Sequence, residues 1–153
     1  MLSVMEWRYI AGFFDGEGSL GHNGRGFRIT IPQTNLEVLR VMQQYCGVGD
    51  IIKVTKRKPH WKDSWVYYVS TQKEVYYFLQ NVRPWVIVKR SHVRDVLIEL
   101  KKYLKFVAVK RRLREKRLGR SIQLRRRGLT YREIGRRVEA DHSYIRRLIL
   151  KHS

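Results

Sequence analysis

In a chain with 33 Lys+Arg and 13 Asp+Glu, two of the acids stand one residue apart between glycines, in Asp15-Gly16-Glu17-Gly18. They follow the apolar run Trp7 to Phe14, which reads as a helix, so they fall at a helix C-terminus. The exposed carbonyls there carry partial negative charge, and added carboxylates cost roughly a few tenths of a kcal/mol or more. A divalent cation at the tip removes the mismatch. A carboxylate and a main-chain carbonyl are hard oxygen ligands that suit Mg²⁺, which keeps waters and takes phosphate oxygens from a substrate. The flanking Gly16 and Gly18 would let the backbone turn sharply and approach a phosphate. The alternative is a glycine-rich turn with two exposed acids.

The elements that must position these acids follow from local patterns. Ser3 and Glu6 form a capping box for the first helix, expected to run to about Phe14. Trp7, Ile10, Ala11, Phe13 and Phe14 are apolar on more than one face, which predicts a buried helix. Strand-like runs at 18–23 and 26–33 flank the hairpin signal Asn23-Gly24. In the second run Phe27, Ile29 and Ile31 alternate with Arg28, Thr30 and Pro32. Asn35 caps a helix over 36–46 that stops at Gly47. A second strand pair is expected at 51–57 and 65–71, with Ile52 and Val54 on one side and Lys53, Thr55 and Arg57 on the other. A helix over about 72–81, a loop with Pro84 and a long helix to about Leu104 complete the order αββαββα. The fold class is α+β: a four-stranded antiparallel sheet with helices on one face and a bare basic face on the other, plus a small all-α module.

The formal net charge is +20, and residues 105–153 hold 17 of the Lys+Arg but 4 of the Asp+Glu. Such an excess predicts a polyanionic partner, nucleic acid before a membrane surface. No apolar run approaches the roughly 20 residues that cross a bilayer, and the N-terminus lacks a leader-like layout. The expectation is a soluble intracellular protein of the cytoplasm, nucleoid or an organelle, neither secreted nor bound to membrane. The lone Cys46 excludes an internal disulfide and a Cys-based zinc site, and reads as a small core residue. The bare sheet face offers Arg28, Thr30, Lys53, Thr55 and Arg57 to nucleic acid, with Tyr67 or Tyr68 as aromatic neighbours. Asn23 and Arg25 in the hairpin turn and Lys58 in the basic connector extend it. An ordinary solvated face is the other reading.

Residues 1–104 form the expected first domain, 105–117 a basic helical connector and 118–153 a helix-turn-helix. In the last, Ile122 and Leu124 point inward from a first helix that ends at Gly128. Thr130 and Glu133 form a second capping box, and Ile134 and Val138 face inward from the helix it opens. Gly135 sits where a third helix must come close. Asp141 caps that helix, with Ile145, Leu148 and Ile149 inward. His142, Ser143, Tyr144, Arg146 and Arg147 are left facing outward, with Thr130, Tyr131 and Arg132 as further contacts, the layout in which a recognition helix enters the major groove. The region resembles the helix-turn-helix of resolvase-type and transposase-type domains, with Glu139 where that turn often has Gly. A basic helical hairpin used for packing or RNA is the alternative.

The stretch from Ile10 to Gly18, IAGFFDGEG, resembles without gaps the LAGLIDADG motif of homing endonucleases. The order of elements over roughly residues 3–104 is similar to that family's single-motif members. The resemblance implies that two motif helices pack through small residues, here Ala11, Gly12 and Gly16. It assigns the catalytic metal to Glu17, in place of a more familiar Asp, with the Gly16 carbonyl beside it. Asp15 becomes a helix-end structural residue or a supporting catalytic one. Gln33 and Lys89 match positions near the scissile phosphate, where Gln33 would orient a water and Lys89 would stabilise charge on phosphorus. A strand-end hydrogen bond and a solvated helix-start lysine are their plainer roles. The implied cofactor is Mg²⁺, with Mn²⁺ as a substitute, and the implied activity is that of an intron-encoded, site-specific endonuclease. One motif supplies one Glu17, whereas cutting both strands needs two, so a homodimer on a long, roughly palindromic duplex DNA is expected. Two other functions fit: a non-cleaving LAGLIDADG/helix-turn-helix regulator, and an intron maturase that binds RNA.

Overall fold

The computed structural model describes residues 4–152 apart from 57 and 59. Ser3 of the expected capping box and Arg57 of the expected basic face lie outside the described residues. In chain order the elements are α1 (Val4–Glu17), β1 (Ser19–His22), β2 (Phe27–Gln33), α2 (Leu36–Cys46), β3 (Asp50–Lys53), β4 (Trp65–Val69), α3 (Gln72–Val82), α4 (Arg90–Arg126), α5 (Tyr131–Arg137) and α6 (His142–Leu150). The chain divides into two compact units, Met1–Leu104 and Lys105–Ser153. No helix among the described residues is long and apolar enough to cross a membrane.

The first unit is mixed α+β, built on one antiparallel sheet in the order β1-β2-β4-β3. Its apolar pleat is the one the alternation in β2 predicts: Ile29 and Ile31 are fully buried while Arg28 and Pro32 are exposed. Helices α1, α2 and α3 and the start of α4 cover that pleat with Ile10, Phe14, Leu39, Met42, Phe78, Leu79, Val93 and Leu100. Phe78 organises the centre, meeting Phe14 edge-on at 5.4 Å and Trp7 at 6.0 Å. Such edge-to-face pairs satisfy the ring quadrupoles as well as burying area.

Local chemistry sets the boundaries of α2. The Asn35 side chain accepts from the amides of Glu37 and Val38, and Gly47 ends the helix at φ 66°, a conformation that costs glycine little. Cys46 is buried at the end of α2, and burial pushes its thiol up to about 11 despite a hydrogen bond with Tyr67. It packs as a small core residue.

Three expectations need correction. First, α1 does not stop at Phe14 but continues through Asp15, Gly16 and Glu17. Helical bonding persists, with the Gly18 amide donating to the Phe14 carbonyl at 2.9 Å. A Cβ at Gly18 would lie 2.4 Å from the Phe14 ring and 2.6 Å from its carbonyl oxygen. Gly18 thus lets the chain leave α1 against its own last turn.

Second, the helix expected to end at about Leu104 does not stop there: α4 is one unbroken helix from Arg90 to Arg126 that runs through the expected helical connector. Residues 105–117 hold no Gly or Pro, and their Lys, Arg, Leu and Glu are good helix formers. Gly119 is carried within the helix, and the chain turns only at Gly128, with φ 86°.

Third, the pleat of β3 is reversed and Tyr67 is internal. β3 pairs Ile51 with Tyr67 and Lys53 with Trp65, so Lys53 shares the helix-side pleat, where it pairs with Asp63 at 3.4 Å. Ile52, 53% exposed, occupies the open pleat instead. This edge strand has two adjacent isoleucines, and alternation alone cannot decide which one is inside. Tyr67 is fully buried, and its hydroxyl donates to the Val48 carbonyl at 2.6 Å. Tyr68 takes the open pleat beside Thr30. Removing the Tyr67 hydroxyl leaves a part-buried carbonyl unsatisfied, so Tyr67→Phe should lower unfolding free energy by about 1 kcal/mol in a denaturant titration.

Candidate active site

Asp15 and Glu17 lie in the same last turn of α1 but serve opposite surroundings. Successive helical residues rotate by about 100°, so positions two apart point to nearly opposite sides. Asp15 turns toward the loop that precedes α4. Its Oδ2 accepts from the amides of Ile87 and Val88 at 2.7 and 2.8 Å, and its Oδ1 from that of Lys89 at 2.9 Å. The Lys89 ammonium donates to the Asp15 main-chain carbonyl. Desolvation works against ionisation of Asp15, but the three amides and the Lys89 charge outweigh it and hold the carboxyl below the usual carboxylate range. Arg8, two turns earlier on the same face of α1, stacks on Trp85 of the same loop at 4.4 Å. The acid that seemed misplaced at a helix C-terminus is therefore matched to amide donors from elsewhere in the chain.

Glu17 is exposed, and among the described residues it makes no hydrogen bond or ion pair. The divalent cation implied by the motif can be judged against this donor set. A free carboxylate and the adjacent last-turn carbonyl of Gly16 are hard oxygen ligands, and they fit Mg²⁺ or Mn²⁺. Among the described residues no three His, Cys, Asp or Glu side chains cluster as a cation site. Glu17 and Gly16 are thus a partial set.

The face of α1 beyond the core carries Tyr9, half exposed, and the exposed Gly12 and Gly16, with Phe13 partly covered. Nothing lies within 4 Å of a Cβ built at either glycine. Ala11 does not belong to this face: it is fully buried in its own domain and has no surface left for a partner. Gly12 and Gly16 are the small residues available for close approach.

Gln33 and Lys89 reach the same end of the unit as α1's last turn. β1 begins at Ser19 opposite Thr30, so Gln33 lies three residues, roughly 10 Å, further along β2. The Gln33 carboxamide oxygen accepts from the Thr34 amide at 2.8 Å and the Asn35 amide at 3.4 Å. Its strand-end role is therefore real, and only its NH₂ is left for other partners. Lys89 is fixed by Asp15, as above, instead of being merely solvated.

On the open pleat, Arg28, Thr30 and Tyr68 fall together, with Thr30 bonded to Ser19 at 2.7 Å. Asn23 shapes the hairpin by accepting from the Arg25 amide at 3.1 Å, and Arg25 is exposed. Thr55 and Lys58 lie exposed in the β3–β4 connector, Lys58 over the Trp61 ring at 5.9 Å.

In the second unit the end of α4, α5 and α6 enclose Ile134, Val138, Ile145 and Ile149, with Leu124 packed against them. Thr130 and Glu133 complete the capping box, and Asp141 caps α6 by accepting from Ser143 and Tyr144. Glu139 adopts φ 51°, and the Ala140 amide closes on the Gly135 carbonyl at 2.9 Å, the six-residue closure of a helix C-terminus. A Cβ on Gly135 would sit 2.6 Å from the Ala140 carbonyl, so glycine is required there by the close turn. Arg132, His142, Ser143, Arg146 and Arg147 are exposed, whereas Tyr131 and Tyr144 pack partly on the core and the Thr130 hydroxyl is committed to Glu133.

The clamp at Asp15 was not readable from local sequence, because its donors are backbone amides of Ile87, Val88 and Lys89, far along the chain. A carboxylate at the wrong helix end was its one trace.

The sequence profile of the LAGLIDADG-like domain matches residues 5–83. No curated protein gives a significant match. Among solved structures, the homing endonuclease I-CvuI in complex with its target superposes with a TM-score of 0.53 at 20% identity, over 65% of this chain and 68% of that one. The group I intron-encoded homing endonuclease I-CeuI complexed with DNA gives 0.53 at 14% identity, over 69% and 58%. The archaeal intron-encoded I-Vdi141I complexed with DNA gives 0.51 at 19% identity, over 96% of each chain. At these identities the likeness is one of fold.

The Asp15 clamp carries a stability signature. A carboxyl with a depressed folded pKa contributes stability that is complete above its unfolded value, near 3.8, and is lost as pH falls through the lower folded value. Asp15→Asn should cost roughly 1–3 kcal/mol near neutral pH. The variant should also show a shallower acid-side decline than the wild type when unfolding is followed by circular dichroism from pH 6 downward.

Proposed function

Because the chain belongs to the LAGLIDADG-like domain family, we propose that it is a site-specific homing endonuclease that cuts both strands of a long, roughly palindromic DNA duplex as a homodimer. The observation that carries this reading is Glu17, a free carboxylate at the tip of a helix whose open face presents Gly12 and Gly16. A second copy laid against that face brings two Glu17 side chains and the two chains' carbonyls to one end of the paired helices. Glu17 and the Gly16 carbonyl would hold Mg²⁺ or Mn²⁺, and such an ion, when bound, supplies an activated water and stabilises the leaving oxygen.

The remaining work falls to this chain's own side chains. Lys89 holds its ammonium beside the last turn of α1, where it favours negative charge developing on a phosphate. Asp15 positions Lys89 and makes no direct contact with the reacting atoms. Gln33 offers its NH₂ to a substrate oxygen or a water while its carbonyl keeps the strand end in place. Arg28, Thr30 and Tyr68 on the open pleat, with Asn23, Arg25, Thr55 and Lys58 around it, form the surface that meets the duplex. The second unit acts as a helix-turn-helix, with His142, Ser143, Arg146 and Arg147 of α6 as its reading face and Arg132 on the backbone side. Phosphate neutralisation by these cations supplies affinity, and base-edge contacts supply selection.

With Mg²⁺ and a duplex library, the wild type should nick and then linearise selected sites. Glu17→Gln should bind the same duplexes but cut them about a thousandfold more slowly. Binding with no cutting in any divalent ion would overturn the enzymatic reading in favour of a regulator. Faster splicing of an intron transcript would point to RNA instead. For the second unit, Arg146→Ala with Arg147→Ala should weaken duplex binding about tenfold to a hundredfold and reduce the slope of log affinity against log salt by up to about 2. Electrophoretic mobility shifts across a salt series measure both.

A further inference from the structure

Residues 105–117 of α4 combine an exposed apolar stripe with a dense set of cations. Phe106, Val109 and Leu113 are 56%, 57% and 61% exposed. At about 100° per residue they fall within roughly 60° of one another, on one line along the helix. Lys105, Arg112 and Lys116 border that line on one side, and Lys110 and Arg117 on the other. The Lys110 ammonium stands 4.4 Å from the centre of the Phe106 ring. The one acid of the segment, Glu115, lies on the opposite side of the helix, where it pairs with Arg111 at 2.8 Å. Among the described residues the five bordering cations make no ion pair. Charge on this stretch is therefore sorted, with the acid turned away from the apolar line and free cations along both its edges.

Such sorting fits a partner that presents apolar groups between two rows of negative charge. We propose that this segment of α4 lies in the major groove of duplex DNA. Phe106, Val109 and Leu113 then meet base edges, thymine methyl groups above all, and the bordering cations meet the phosphates of both walls. The groove is about 12 Å wide, close to the roughly 10–12 Å diameter of a helix with its side chains. Residues 105–117 rise about 19 Å, which spans roughly 5 base pairs before a straight helix leaves the curving groove. A membrane surface would need a wide apolar face, whereas this stripe is one residue broad. A copy of the same segment would bring like charges together. The proposal rests on the DNA-binding part of the reading above and not on cutting. It adds a contact separate from the sheet and from α6, one that senses methyl groups without hydrogen bonds.

The test uses a duplex recovered by binding selection, with thymines replaced one at a time by deoxyuridine, which removes only the methyl group. The full chain should lose about threefold to tenfold in affinity at one to three replaced positions. Phe106→Ala/Val109→Ala/Leu113→Ala keeps strong helix formers, so circular dichroism should be unchanged. That variant should bind the unmodified duplex about tenfold more weakly and lose the sensitivity to deoxyuridine. Lys105→Ala/Arg112→Ala/Lys116→Ala should lower the slope of log affinity against log salt by about 2 to 3, whereas Arg111→Ala should leave it unchanged. An apolar variant that keeps the wild-type deoxyuridine profile would overturn the proposal, as would a profile flat at every thymine. Loss of binding to vesicles of mixed phosphatidylcholine and phosphatidylserine, with the deoxyuridine profile kept, would give the stripe to a membrane instead. If the wild type binds but never cuts in Mg²⁺, the endonuclease reading fails and the groove contact stands. A chain that binds no duplex would sink both.

Discussion

A carboxylate at the C-terminus of a helix is unfavourable unless donors are brought to it. In this protein the donors are three consecutive backbone amides, and Asp15 joins α1 to the start of α4 through them. The arrangement satisfies amides that precede a helix and an acid in the last turn of another, so each corrects the electrostatic defect of the other. Lys89 is oriented as part of the same contact. The site end of the first unit therefore depends on one acid held by amides from another part of the chain.

The neighbouring Glu17 owes its availability to the same geometry. Because α1 continues through Gly16, the two acids are separated by roughly 200° of helical rotation, and only one can reach the loop. Had the helix ended at Phe14, both would have sat in a turn with no reason to differ. Gly12 and Gly16 lie on the open side, while Ala11 and Phe14 complete the core. The helix thus separates three tasks around its circumference: packing, clamping and presenting a free carboxylate next to a surface that can be approached closely. In the proposed enzyme, that third task is the catalytic one.

The second unit shows the same economy on a smaller scale. Its short helices are held by caps at Thr130 and Asp141 and by a turn in which Glu139 takes a left-handed conformation. The close turn at Gly135 leaves the outward side of α6 to arginines and to His142 and Ser143. Such a distribution places charge where a polyanion can meet it and apolar groups where they protect one another.

The parts that the sequence by itself determined are those governed by near neighbours. Caps at Asn35, Thr130 and Asp141, the stop at Gly47 and the alternation in β2 are settled within a few residues, because their hydrogen bonds and side-chain directions are local. The motif around Asp15 and Glu17 and the excess of Lys and Arg were legible for the same reason. Only the tertiary structure decided what depends on distant partners. It set the phase of β3, where Ile51 and Ile52 compete for one pleat, the burial of Tyr67 under Val48, and the uninterrupted course of α4. It also decided that Asp15 is bound and Glu17 is free, because that difference is made by backbone amides that no local spacing announces.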